Sequence, residues 1–354
     1  MLADASQASG DDRRLMALAL RLARRAWGQT SPNPMVGAVV VRDGEIVGRG
    51  FHRRAGGPHA EIEAMRAAGN RIRNATLYVT LEPCSSHGRT SPCAEAIVSS
   101  GLRRVVVGCS DPDPRHRGRG LAMLAEAGVE VCLGVAEEQC RELNEAFFCW
   151  VREHRPFTLL KMAMTLDGRI ATAAGQSRWI TGAKARAEVQ KWRRWSDAIM
   201  VGGETVRQDN PRLEVRDRPG WSPQPLPIVC SRRQDFSSDF HLWNDPGRVP
   251  EIISPASPEE WRRTMRGLGR RRITALLIEG GGELAAECLA AGVVDKVMFF
   301  VAPRILGGRN SRPVVGGCDP DALSEARQLS RVRVKRIGED ILITGYPQNV
   351  YRSD

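Results

Sequence analysis

The chain has 354 residues, of which 42% are apolar and only 5% aromatic, and 52 Lys+Arg against 41 Asp+Glu give it a formal net charge of +11. That length suggests two domains with ordinary cores, and no run approaches the roughly 18–20 apolar residues of a membrane span. The charge suits anionic partners, the scarcity of rings argues against a surface that stacks nucleic-acid bases, and the polar start MLADASQASGDDRR lacks a signal segment, so a cytoplasmic protein with no membrane or nucleic-acid partner is expected.

The apolar spacing of residues 12–27 predicts an amphipathic helix. Residues 35–52, MVGAVVVRDGEIVGRGFH, hold two strands around Asp43-Gly44, a hairpin signal. PHAEIEAMRAAG (58–69) reads as a helix between Pro58 and Gly69. Strand ATLYVTL, helix CAEAIVSSG, strand RRVVVGC, helix GLAMLAEAG and strand VEVCLG follow over residues 75–134. A second unit begins near Pro156. FTLLKMAMT is a strand and KARAEVQKWRRW a helix. DAIMVGG, PLPIVCS and VPEIIS are strands, and PEEWRRTMRGLG is a helix. ITALLIEGG and VDKVMFFVAP are strands around the helix ELAAECLAAG, and RVRVKRIGEDILITGY closes as a hairpin. The polar, Pro-rich stretches 217–227 and 241–250 read as loops. This alternation predicts an α/β protein of two layered, mostly parallel units, with no internal repeat. The domains are expected at 1–152 and 153–354.

Nine cysteines, an odd number, fit free thiols or a metal site better than a disulfide framework. In HAE (59–61) His59 offers an imidazole nitrogen, and in EPCSSHGRTSPC (82–93) Cys84 and Cys93 offer thiolates. Three such donors leave one corner of a tetrahedral zinc for water, and zinc lowers the pKa of that water from about 16 toward about 7. Glu61, two residues from His59, cannot share its direction and is placed to move protons. H-x-E followed by P-C and a further Cys is a zinc-deaminase pattern, here with eight residues between the cysteines. The bland reading makes each of these residues ordinary surface or filler. A closed structural site would add His87 as fourth ligand and leave Glu61 without a task.

No G-x-G-x-x-G follows a strand in the second unit. Two glycine turns do, MVGGETV (200–206) and LIEGGGEL (277–284), and such turns let backbone N–H groups approach an anion, although most are simply turns. Ser231, Arg232 and Arg233 at a strand end suit a ribose 2′-phosphate, hence NADPH over NADH, or are solvated arginines.

SPNPMVGAVVV, HAEIEAM, YVTLEPCSSHGRTSPC and DPDP resemble the deaminase half of the bifunctional riboflavin-biosynthesis deaminase/reductases. LKMAMTLDGRIA, SRWITG, SDAIMVGGETVRQDNPRLEVR and IEGG resemble the reductase half. The resemblance implies an N-terminal cytidine-deaminase-like three-layer α/β/α domain and a C-terminal dihydrofolate-reductase-like α/β domain. It implies one Zn2+ per chain on His59, Cys84 and Cys93, proton transfer by Glu61, and Asn33 over the substrate pyrimidine. In the reductase half it implies substrate contacts at Ser177, Arg193, Leu213, Arg216 and Glu279. NADPH contacts are implied at Ala163, Trp179, Thr205, Asp209, Ser231, Gly281 and Gly282. Without it, Trp179 reads as a core ring and Arg193 and Arg216 as a solvated face. Lys161 and Asp167 fall in a matching motif without an assigned role. The chain departs from the family pattern at Ser86 (usually His), Asp113 (usually Asn), Arg115–Arg117 and Cys230 (commonly Asp).

The activities implied are zinc-dependent removal of the amine of 2,5-diamino-6-(5-phosphoribosylamino)pyrimidin-4-one, then NADPH-dependent reduction of the ribosyl group to ribityl. The partners are small phosphorylated pyrimidines, and a homo-oligomer is expected. The rival readings are a zinc deaminase acting on RNA with a C-terminal binding module, and a non-catalytic scaffold stapled by zinc.

Overall fold

The computed structural model describes residues 2–4, 8–86 and 92–347. The chain divides into two compact units, Met1–His154 and Arg155–Asp354.

The first unit runs β1 (Leu2–Asp4), α1 (Gly10–Ala23), β2 (Gly37–Arg42), β3 (Glu45–Phe51), α2 (Ala60–Ala68), β4 (Thr76–Leu81) and α3 (Cys93–Ser100). It continues β5 (Arg104–Cys109), α4 (Arg119–Glu126), β6 (Glu130–Leu133), α5 (Glu137–Leu143) and α6 (Glu145–Glu153). The sheet order is β1-β6-β5-β4-β2-β3, parallel from β1 to β4 and antiparallel across β4-β2-β3. The hairpin at Asp43-Gly44 forms as its sequence requires, with φ of 51° and 78° at the two turn residues.

Alternation along the strands makes three layers. Val39, Tyr78, Val106 and Cys132 face a core with α1 and α5, while Val40, Leu77, Val79, Val105, Val107 and Val131 face a core with α2, α3 and α4. The helix expected over residues 12–27 is an α-helix only to Ala23, and residues Arg24–Ala26 tighten into a 3-10 turn. Helices α5 and α6 were not anticipated, and they supply Asn144, whose amide clamps the chain at Met35.

One close approach positions the first site. A Cβ on Gly50 would lie 2.3 Å from the carbonyl oxygen of Ala60, and one on Gly48 2.1 Å from that of Ala64. Only glycine at these places in β3 lets α2, which begins beside His59, lie this close to the sheet.

The second unit runs β7 (Phe157–Thr165), β8 (Arg169–Ala171), α7 (Ala183–Trp195), β9 (Ala198–Gly202), α8 (Gly203–Asp209), β10 (Leu226–Cys230) and β11 (Glu251–Ile253). It ends with α9 (Pro258–Arg270), β12 (Ala275–Glu279), α10 (Gly282–Ala290), β13 (Lys296–Ala302), β14 (Arg312–Pro313), β15 (Ser330–Ile337) and β16 (Asp340–Tyr346). The eight-stranded order is β11-β10-β9-β12-β7-β13-β16-β15, parallel from β11 to β13, and β14 pairs separately with β8. Leu226 and Pro227, where the expected loop 217–227 overlaps the expected strand PLPIVCS, belong to the strand β10. Leu160, Met162, Met200, Ile228, Leu276 and Ile278 form one core with Trp261 and Met265 of α9 and Leu284 and Cys288 of α10.

Candidate active sites

His59 is the N-cap of α2, with extended backbone (φ −73°, ψ 159°), and Cys93 is the first residue of α3. Cys84 lies three residues beyond β4. Its Sγ accepts the backbone N–H of Cys93 at 3.3 Å, and its carbonyl accepts that of Ala94 at 3.2 Å. His59 Nδ1 is 3.2 Å from Cys93 Sγ and 3.6 Å from Cys84 Sγ. The three ligand atoms lie within 4.8 Å of one another. Around a tetrahedral zinc an imidazole nitrogen and a thiolate sulfur stand roughly 3.6 Å apart, so this donor set fits zinc in type and spacing. His87 lies outside the described residues.

Shared protons set the charges of the metal-free donors. The hydrogen bond from Cys93 is the largest influence on Cys84 and, with His59, lowers its thiol to about 4 against the opposition of burial. The same bond, with burial, pushes Cys93 up. The bond to Cys84 raises His59. Glu61, in the first turn of α2, is only 3% exposed, and burial raises its carboxyl above the usual range although His59 opposes this.

Glu82 holds the ground beneath Cys84. Its carboxylate accepts backbone N–H groups from Asp111 and Gly118 at 3.1 Å each, from Gly120 at 3.1 Å and from Leu121 at 3.4 Å. This brings the 111–117 segment to the strand end that carries Cys84: His116 Nδ1 and Nε2 stand 3.5 and 3.4 Å from the hydroxyls of Ser85 and Ser86. Asp113 accepts from Arg115 Nε at 3.0 Å and NH2 at 2.5 Å, so its extra charge is matched by a neighbouring guanidinium. Asn33 sits in the turn before β2, and its Nδ2 is 3.2 Å from Nε2 of the buried His52.

The second unit has an open cavity of about 1050 Å³, lined at once by Ser177, Arg193, Leu213, Arg216 and Glu279 and by Ala163, Trp179, Thr205, Asp209, Ser231, Gly281 and Gly282. Strand order builds it. β12 lies between β9 and β7, and the register sets Glu279 directly beside Lys161. Arg193, from α7, closes on Glu279 with bonds of 2.6 and 2.9 Å, both side chains being 10% exposed. Arg193 is therefore an internal ion-pair partner, not part of a solvated face, whereas Arg216 is exposed on the cavity wall. Burial raises Glu279, but Arg193 and Lys161 outweigh it and hold the carboxyl below its ordinary value. Lys161 is pressed below its ordinary value by burial and by Arg193.

Side chains pin the segment Leu213–Arg216 almost like a strand. Gln224 bonds both Val215 N–H (2.8 Å) and its carbonyl (3.2 Å), Gln190 accepts Arg216 N–H at 2.9 Å, and Arg193 donates to Glu214 O at 3.0 Å. Arg248 donates to the carbonyls of Leu213, Arg212 and Pro225. Leu213 is held at φ 46°, a conformation costly for leucine. Nothing in the sequence singled out Gln190, Gln224 or Arg248, because their partners are backbone atoms distant in the chain.

Glycine turns end β9 and β12 at the mouths of α8 and α10. Gly281, the N-cap of α10, has φ 43°, and a Cβ on Gly203 would lie 2.4 Å from Ser231 Oγ. Ser177 donates to Asp209 Oδ1 at 2.9 Å. Trp179 is 60% exposed, so it is no core ring, and Arg186 lies 4.6 Å over its face. Arg233 is engaged by Asp235 at 2.5 Å, while Arg232, 75% exposed, reaches only Glu287 at 3.9 Å. Asp167 accepts the backbone N–H groups of Leu306 and Gly307, a role in shaping a loop.

Two family models match the chain: the cytidine and deoxycytidylate deaminase zinc-binding region over residues 9–109, and the RibD C-terminal domain over residues 156–343. The riboflavin biosynthesis protein RibD of Synechocystis is 41% identical over 95% of this chain and 96% of its own. The solved structure of Acinetobacter baumannii RibD superimposes with a TM-score of 0.86 at 35% identity, covering 95% of this chain and 99% of that one. A Thermotoga maritima structure, described as a diaminohydroxyphosphoribosylaminopyrimidine deaminase/5-amino-6-(5-phosphoribosylamino)uracil reductase, gives 0.82 at 36% identity with the same coverage.

Proposed function

Because the chain belongs to the RibD family of bifunctional riboflavin-biosynthesis deaminase/reductases, we propose that its two units divide two successive reactions on one phosphorylated pyrimidine. Residues 1–152 hydrolytically deaminate 2,5-diamino-6-(5-phosphoribosylamino)pyrimidin-4-one. Residues 153–354 reduce the ribosyl group of the resulting 5-amino-6-(5-phosphoribosylamino)uracil to ribityl. The observation that carries the first assignment is the convergence of His59, Cys84 and Cys93 beside the buried Glu61.

His59, Cys84 and Cys93 would hold the zinc, which would supply a water acidified toward a pKa of about 7. Glu61 would act as the proton carrier, accepting the proton that the nucleophilic water loses and delivering protons to the ring nitrogen and to the departing ammonia. Burial raises the proton affinity of this carboxyl above that of an ordinary glutamate, which favours its holding the proton between the two transfers. Asn33 holds the pyrimidine.

In the second unit NADPH supplies the hydride. The turns at Gly202-Gly203 and Gly281-Gly282 take its diphosphate, with Thr205, Asp209, Ser231, Ala163 and Trp179 along its length. Glu279 and Arg193, with Lys161 beside them, form the floor beneath the ribosyl carbon. Ser177, Leu213 and Arg216 fix the pyrimidine phosphate. Arg232 is the arginine left available for the 2′-phosphate, since Asp235 engages Arg233. Arg232→Ala is therefore expected to raise the KM for NADPH roughly tenfold or more while leaving that for NADH nearly unchanged, and Arg233→Ala to do less. Steady-state kinetics with the two cofactors separates these outcomes.

The whole reading is tested by incubating the protein with the diaminopyrimidinone phosphate. Without NADPH, mass analysis should find the deaminated ribosylamino product and ammonia; with NADPH, the ribityl product and a fall in absorbance at 340 nm. Consumption of neither substrate would end it.

A further inference from the structure

Taking the N-terminal unit as the deaminase, we infer that His52 is a positioning residue that fixes the side-chain amide of Asn33, leaving its carbonyl oxygen and its second amide hydrogen for the pyrimidine. His52 follows the last residue of β3 and is 3% exposed. Its Nδ1 is 3.0 Å from the carbonyl oxygen of Pro58, the residue before His59, and its Nε2 is 3.2 Å from Asn33 Nδ2. A carbonyl only accepts, so Nδ1 carries the ring proton. An amide nitrogen only donates, so Nε2 is bare. Both ring nitrogens are thus spent within the protein, and His52 has none left to offer a substrate.

The neighbouring backbone leaves the amide rotation as the open question. Asn144 bonds both the N–H and the carbonyl of Met35, at 2.8 and 2.9 Å, and the N–H of His52 is donated to Val36 at 2.9 Å. The chain on the far side of Asn33-Pro34 is therefore fixed. Turning the amide over would set Oδ1 against the bare Nε2, two acceptors facing each other. The imidazole also packs edge-on to that of His59, with 5.5 Å between ring centroids, so the assembly stands directly beside one of the three candidate zinc donors.

The chemical consequence concerns which ring is accepted. An amide presenting an acceptor beside a donor complements a lactam edge, a ring N–H next to a carbonyl. A pyrimidin-4-one carries that edge adjacent to the carbon bearing the amine to be removed. A ring with a bare nitrogen in place of the N–H would meet the Asn33 oxygen acceptor to acceptor, a loss felt most strongly in a desolvated site. The orientation set by His52 thus selects aminopyrimidinones over cytosine-like rings.

The test uses the full-length zinc-loaded protein and the diaminopyrimidinone phosphate. His52→Asn keeps a donor for Pro58 and removes the acceptor. It should lower deaminase kcat/KM roughly tenfold to hundredfold, chiefly through KM, with zinc still near one per chain and NADPH-dependent reduction of separately supplied 5-amino-6-(5-phosphoribosylamino)uracil unchanged. His52→Gln, which returns an acceptor oxygen in place of Nε2, should recover most of the loss. Asn33→Ala should cost a similar factor, and adding His52→Asn to it should cost nothing more. Equilibrium binding of the same compound to Glu61→Gln protein should weaken by a matching factor on adding His52→Asn. Retained deamination in His52→Asn, full additivity with Asn33→Ala, failure of His52→Gln to recover, or loss of zinc would each overturn the inference while leaving the deaminase assignment standing. Unaltered deamination in Asn33→Ala would overturn the placement of the pyrimidine along with it.

Discussion

Replacing Glu61 with Gln is expected to lower deamination by about 10³–10⁴-fold, near the upper end for loss of an acid–base group, because this one carboxyl serves several proton transfers. In barrier terms that is roughly 4–5 kcal/mol. Gln has the shape of Glu and no titratable proton, so zinc should stay near one per chain. Reduction in the other unit should proceed at the ordinary rate. Stability should not fall. Burial works against the charged carboxylate at this position, and a neutral amide of the same shape removes that cost. Ammonia release, metal analysis and thermal unfolding together check this. Deamination that persisted with zinc bound would take Glu61 out of the chemistry.

Arg193→Met is expected to be the most damaging change in the second unit. It removes a guanidinium that makes two bonds to Glu279, at 2.6 and 2.9 Å, and one to the carbonyl of Glu214 at 3.0 Å. Glu279 is then left in the cavity floor with Lys161 and, more weakly, Arg216 as cationic neighbours. Breaking one side of a buried pair costs about 3–5 kcal/mol, and Lys161 should keep the loss toward the lower figure. The double variant Arg193→Met/Glu279→Gln should regain much of the stability without regaining reduction. The pH dependence follows from the direction of the carboxyl. Glu279 is held below its ordinary value, so the pair's contribution is complete above the unfolded carboxylate pKa of about 4.3 and disappears as acid passes through the lower, folded value. Unfolding curves against pH should show this loss in the parent protein and not in the double variant. A variant as stable as the parent would mean that the pair is a solvated contact.

The two sites were legible to different degrees. HAE and the two Pro-Cys steps declare their chemistry because zinc demands a narrow set of donors, and because a helix start and a strand end put those donors at element termini. Their convergence depended on features with no such signature. Gly48 and Gly50 admit α2 to the sheet, and Glu82 gathers four backbone N–H groups beneath Cys84. In the second unit the glycine turns were visible as turns, yet nothing local distinguished them from ordinary ones. Trp179 and Arg193 each have a common bland role, and only exposure separated them from it: the ring lies open at the cavity and the arginine is buried.

The sequence by itself determined the alternation of strands and helices, the Asp43-Gly44 hairpin and the three candidate metal donors, since each rests on periodicity or on residue chemistry within a short span. Only the tertiary structure decided that Lys161 lies against Glu279, that Arg193 reaches across to Glu279 and to the carbonyl of Glu214, and that Asn33 is held by His52 next to His59. The physical reason is that strand order and register come from pairings between distant segments, where many weak contacts are settled together and no single residue carries the information.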